Sequence, residues 1–263
     1  MNARQQTIGK ATIKNKERVL NTDIDNITLR EILGQFKSGF VVTPNADVLV
    51  QLQTNKQFYE IYQTADYVLV DSKVVMLAAR VLGIRFKEKI SGSDFLPAYC
   101  QYHKANTDVR IFLLGGKEDV ANLARENINK KIGREIIVGS LSPSMNFSTD
   151  DSESMKAIET INKSGANVLA VGLGSPKQEM WISKYRNKLE NVHSFMSVGA
   201  TLDFEAGTLS RAPRWMSNIG LEWFYRLAME PRRLWRRYLM QDTKLFWYIF
   251  LQAIGYYKNP FNS

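Results

Sequence analysis

Residues 168–182, VLAVGLGSPKQEMWI, start as an apolar run, pass two glycines and a proline, and end with helical spacing. The order is strand, loop, helix, and it recurs along the chain. Residues 39–53, GFVVTPNADVLVQLQ, show it, as do 65–83, ADYVLVDSKVVMLAARVLG, and 109–128, VRIFLLGGKEDVANLARENI. REIIVGSLSPS (134–144) and HSFMSVGATLDF (193–204) each read as a strand and a loop. Strands rich in Val, Ile, Leu and Phe, alternating with helical stretches, predict an α/β fold: a mostly parallel sheet with helices on both faces.

The gross numbers fit that reading. With 263 residues, 44% of them hydrophobic, the chain can bury a large core. One cysteine, Cys100, allows no intrachain disulfide, and two distant histidines do not make a structural zinc site. No secretory pattern opens the chain, and no run of about 18 apolar residues predicts a spanning helix. The net charge is +9. From Arg211 onward nine Lys/Arg stand against three Asp/Glu, so most of the excess lies in the last fifth of the chain. A basic end favours anionic lipid, phosphate or nucleic acid. Expected domains are a flexible segment over residues 1–20, an α/β core over 21–210 and a helical, basic appendage over 211–263.

In open α/β sheets ligands sit beyond the carboxyl ends of the strands. Those ends present Thr43, Asn45 and Asp47, then Asp71 and Ser72, then Gly115, Gly116 and Lys117. Further on come Gly172, Gly174, Lys177 and Gln178, and last Ser197, Gly199 and Thr201. The set suits a nucleotide or sugar-nucleotide crevice, since loops that open helices attract phosphate. Each residue has a bland alternative. Gly172 and Gly174 fall short of a G-x-G-x-x-G dinucleotide fingerprint, because Lys177 stands at the third position; a plain tight turn competes. Asp71 reads equally as a helix N-cap or as a general base. Thr43 and Asn45 suit a cap or turn as well as a sugar.

After residue 210 the composition changes. All tryptophans but Trp181 lie there, the pattern is helical, and Pro231 predicts a break. Arg226, Arg233 and Arg236 are spaced 7 and 3 apart, which would share one face of an unbroken helix. With Arg232 and Arg237 they read as a solvated basic face, a diphosphate clamp or a lipid-headgroup contact. LFWYIFLQAIGYY (245–257) is too short to span a bilayer and reads as a core helix or an interfacial one.

Seven motifs in one order carry a family likeness: TPNADVLV, ADYVLVDSKVV, ISGSDFLP, IFLLGGKEDVA, VGLGSPKQEMWI, RAPRWM and GLEWFYRLAMEPRRLWRRYL. The chain resembles the WecG/TagA/CpsF family of bacterial glycosyltransferases over about residues 20–240. The resemblance implies a Rossmann-like core with a C-terminal appendage. It implies inverting transfer of a sugar (ManNAc, ManNAcA or a hexose such as glucose) from a UDP-sugar to a polyprenyl-diphosphate-linked saccharide. It further implies no cofactor or metal, and work on the inner face of the plasma membrane in cell-surface polysaccharide or teichoic acid synthesis. Asp71 then maps to the family's candidate base, Thr43 and Asn45 to the sugar, and Gln178 to the donor site. Arg226, Arg233 and Arg236, with Lys89, map to the diphosphates. Partners under this reading are the UDP-sugar, the lipid-linked acceptor and the membrane, without nucleic acid; a homo-oligomer stays open. Three departures stand out: Ser72 for a usual Gly, Lys89 for a usual Arg, and Ala200 in a usual Gly-Gly. The competing readings are an NAD- or nucleotide-binding protein of other chemistry, and a basic membrane- or nucleic-acid-binding module.

Overall fold

The computed structural model describes residues 15–147 and 149–262, without the side chains of Arg214, Asn218 and Arg233. The expected flexible segment lies outside the described residues for positions 1–14. Its last residues are docked: β1 (Lys16–Val19) pairs antiparallel with β2 (Thr22–Asp25). Val19 and Ile24 are fully buried, and Arg18 Nη1 meets Asp23 at 2.9 Å across the hairpin.

Six strands form the parallel sheet: β3 (Gly39–Val42), β4 (Tyr67–Val68), β5 (Ile111–Gly115), β6 (Ile137–Leu141), β7 (Val168–Gly172) and β8 (Ser194–Ser197). Their order is β4-β3-β8-β7-β5-β6, every pair parallel. Strand β5 shows why these runs are apolar without alternation. Ile111 and Leu113 face one buried layer, Phe112 and Leu114 the other, and all four are at most 1% exposed. Helices cover both faces, so neither set can be polar.

Pro231 breaks the C-terminal stretch as expected. Helix Glu222–Met229 ends, and Pro231 opens helix Pro231–Arg236, where its missing N–H costs nothing. A π-helical turn, Arg237–Gln241, follows, then helix Lys244–Ala253. This last helix divides by face. Leu245 and Ile249 join the same apolar layer as Val48, Leu49 and Val75, whereas Phe246, Trp247 and Phe250 are about half exposed. Gln252 ties it to the hairpin, accepting from Leu20 N–H at 2.7 Å and donating to Arg18 O at 3.2 Å. The stretch set apart as an appendage over 211–263 thus packs into the core from Leu245 onward. Among the described residues no helix is long and apolar enough to cross a membrane.

Candidate active site

The strand order decides which loops meet. The carboxyl ends of β4, β3, β8 and β7 are neighbours, and they floor a cavity of about 510 Å³. Helix Glu222–Met229 and the π turn close it from the appendage side. Thr43, Asn45, Asp71, Lys89, Gly174 and Gln178 all line it, as does Arg226.

Asp71 is free of the cap role. Ser72 caps helix Lys73–Arg80, its hydroxyl accepting from Val75 N–H at 3.2 Å, while Asp71 N–H donates to Pro44 O at 3.2 Å. The side chain of Asp71 is left at the cavity floor. Burial pushes its pKa up to about 6; Lys89 and Arg226 pull it down, Glu222 and Asp94 push it up. The carboxylate is ionised at neutral pH yet close enough to neutrality to take a proton, which suits a general base. Ser72 thus holds the start of helix Lys73–Arg80. Ser72→Ala is expected to cost about 1 kcal/mol, a drop of roughly 2–4 °C in thermal midpoint. An unchanged midpoint would refute the capping role.

Lys89 is held by two carboxylates. Its Nζ lies 3.0 Å from Asp94 Oδ2 and 3.7 Å from Glu222 Oε2. Burial lowers the Lys89 pKa, but Asp94, Glu222 and Asp71 outweigh it and the net shift is upward. Asp94 is itself anchored by Ser91 in a capping box, and Arg211 Nη2 reaches it at 2.9 Å. Across the cavity Arg237 Nε stands 3.2 Å from Asp47 Oδ2. Nearby Asp242 is pushed up to about 7 by burial, against the pull of Arg237 and with the push of Asp47.

Asn45 takes its bland reading in part: its Oδ1 caps helix Ala46–Gln51, accepting from Val48 N–H at 3.1 Å. The carboxamide of Gln178 is spent on the protein. Its Oε1 accepts from Gly199 N–H at 3.1 Å and its Nε2 donates to Glu179 Oε1 at 2.8 Å. Gln178 thereby fixes the loop after β8.

Several residues singled out in the sequence do not reach the cavity, Lys117 and Ser197 among them. Gly115 and Gly116 end β5, which lies beyond β7. Gly172 lies where β7 crowds its neighbours: a Cβ there would sit 2.8 Å from Gly199 O. Lys177 opens helix Lys177–Tyr185 on its exposed side, while the next two residues turn inward. Arg236 is exposed and stacks on Trp235, 5.3 Å from the ring centroid. The break at Pro231 rotates it away from Arg226. Arg237 reaches the cavity in its place. The side chain of Arg233 lies outside the described residues. Glu222, Trp223 and Tyr238 line the cavity unforeseen. They sit inside the motif already quoted, but its spacing did not say which face the broken helices turn inward. Among the described residues no three His, Cys, Asp or Glu side chains converge as a metal-ligating group.

Comparison with known proteins agrees with this geometry. The family model described as "Glycosyl transferase WecG/TagA/CpsF family" matches residues 17–259. The chain is similar to the N-acetylglucosaminyldiphosphoundecaprenol N-acetyl-beta-D-mannosaminyltransferase of Staphylococcus aureus strain MW2. The two are 25% identical over 90% of this chain and 93% of that protein. The proteins of the same name from strains NCTC 8325 / PS 47 and COL match to the same extent. The chain is a glycosyltransferase and belongs to the WecG/TagA/CpsF family.

Proposed function

We propose that the chain moves N-acetylmannosamine, or a close relative of it, from a UDP-sugar to a polyprenyl-diphosphate-linked N-acetylglucosamine. The name of the Staphylococcus aureus relatives supports the acceptor and the sugar. The observation that carries the reaction is Asp71: an uncapped carboxylate on the cavity floor, its pKa raised to about 6, with cations from core and appendage around it. The acceptor hydroxyl attacks the anomeric carbon from the face opposite UDP, and Asp71 takes its proton, inverting the centre. Negative charge grows on the departing diphosphate. Arg226 and Arg237 on the roof are placed to offset it, and preorganised cations do so without reorganisation cost. Thr43 hydrogen-bonds the sugar, and Gln178 holds the loop beside it.

The acceptor's lipid tail places the reaction at a membrane surface, on the inner face of the plasma membrane. The exposed Trp215, Trp235, Phe246, Trp247 and Phe250, with Arg232 and Arg236 also exposed, suit an interfacial contact.

The test is UDP release by the full chain with detergent-dispersed polyprenyl-diphosphate-GlcNAc and a panel of UDP-sugars, in EDTA. Acceptor-dependent release from one donor is expected, unchanged by EDTA because arginines supply the positive charge. Release that collapses in EDTA and returns with magnesium would overturn the metal-free mechanism. No release from any donor would overturn the substrate assignment.

A further inference from the structure

The site holds more negative charge than a base and a donor pocket require. Glu222 is the first residue of helix Glu222–Met229, so it belongs to the appendage, yet it lines the same cavity as Asp71. It meets Lys89, which comes from the core and whose side chain is only 16% exposed. The Lys89 ammonium therefore lies between a core carboxylate, Asp94 at 3.0 Å, and an appendage carboxylate, Glu222 at 3.7 Å. The charge of Lys89 is thus largely matched by these two carboxylates.

We propose that Glu222 is a positioning residue of the transfer reaction: it engages the Lys89 ammonium and so sets how much of that positive charge reaches Asp71. The inference rests on Asp71 as the base. Among the described residues the groups around Asp71 come from four elements, and Glu179, beside Tyr62, lines the same cavity. Lys89 and Asp94 come from the loop and helix before residue 103, Glu222 and Arg226 from the appendage helix, and Tyr62 from helix Lys56–Gln63. Lys89 and Arg226 favour ionised Asp71; Glu222 and Asp94 favour the protonated form. Among these, Glu222 and Arg226 arrive only when the appendage is seated. The appendage thus acts on the base as well as on the substrate. In Glu222→Gln the shape is kept and the charge removed, both the direct push of Glu222 and its hold on Lys89 are lost, and both losses make Asp71 more acidic.

The experiment is the pH profile of kcat/KM for acceptor-dependent UDP release by the full chain. In the wild type the rate rises through an acid limb as Asp71 ionises. Glu222→Gln is expected to move that limb down by roughly half to one pH unit. Its rate relative to wild type at pH 5 then exceeds that ratio at pH 8 by roughly 3- to 5-fold. Lys89→Met is expected to move the limb up, and Glu222→Asp to restore it. A purely structural loss would lower the rate by one factor at every pH and leave the limb in place, which would overturn the proposal. If Glu222→Gln does not fold, Lys89→Met carries the test: a limb that does not rise overturns it. Wild-type protein with no acceptor-dependent release would instead strike the proposed function itself.

Discussion

Asp71→Asn is expected to lower sugar transfer by about 10²–10⁴-fold, the usual worth of a positioned general base. The carboxamide matches the carboxylate in shape but takes no proton. The hydrogen bond of residue 71 N–H to Pro44 O and the cap by Ser72 do not involve the side chain, so the local fold stands. Loss of activity must then come with a second sign. The pKa of Asp71 in the folded chain is above its ordinary value, about 6 against 3.8, with burial as the main cause. A carboxyl raised on folding destabilises the fold where it is ionised in both states, and is neutral in its effect where it is protonated in both. The Asp71→Asn protein should therefore be more stable than the wild type above about pH 6, by up to about 3 kcal/mol. The gain should fade as pH drops and be gone below the ordinary carboxylate range. UDP should still raise the thermal midpoint, because the substitution leaves the rest of the proposed donor site in place. Full turnover by the variant would remove Asp71 from the mechanism. A fall in stability at neutral pH would mean that the carboxylate is held by partners rather than strained by burial.

The frame of the site was open to sequence reasoning because it follows from periodicity. Six apolar runs became six parallel strands, and the rule that ligands sit at their carboxyl ends placed Asp71, Thr43 and Asn45 in one cavity. Strand order is not written in the runs themselves. Nothing in IFLLGG says that β5 lies outside β7, so Gly115 and Gly116 read as a phosphate loop when they are not at the cavity. Helix phase was lost for a similar reason. Arg226, Arg233 and Arg236 share a face only on an unbroken helix, and the break before Pro231 followed by the π turn brings Arg237 inward instead of Arg236. The hairpin at 16–25 is not legible because Lys16, Glu17 and Arg18 make a strand without apolar alternation, and the residue that ties it down, Gln252, is far away in the chain. Lys89 is legible from its motif and lines the cavity, but Glu222 is an ordinary charge in the sequence. Only the docking of the appendage makes them a pair.

Gly115→Ala separates the two meanings a strand-end glycine can have. As a phosphate cradle, Gly115 would matter for nucleotide binding and little for stability. The geometry argues the reverse. Its φ is +138°, a conformation that side chains rarely adopt, and a Cβ there would lie 2.5 Å from the carbonyl carbon of Gly172 and 2.9 Å from its Cα. Both neighbours are backbone in the adjacent strand, so no side chain can turn away to make room. Gly172 in turn presses on Gly199 O, so three strand ends, β5, β7 and β8, approach one another through glycine. A methyl group at 115 must either push β5 from β7 or strain the loop, and we expect a loss of about 3 kcal/mol. In a chain of this size that is a fall of roughly 6–12 °C in thermal midpoint. UDP affinity measured well below that midpoint should stay within about twofold, under half a kcal/mol. Gly174→Ala is the counterpart. Its φ is +78°, but a Cβ there meets nothing within 4 Å, and the residue lines the cavity. It should cost only the left-handed backbone penalty of about 1–2 kcal/mol, and any loss of UDP affinity should appear here. A Gly115→Ala protein that melted like the wild type but bound UDP tenfold more weakly would return β5 to the nucleotide site. It would also show that the cavity between β4 and β7 is not the whole of it.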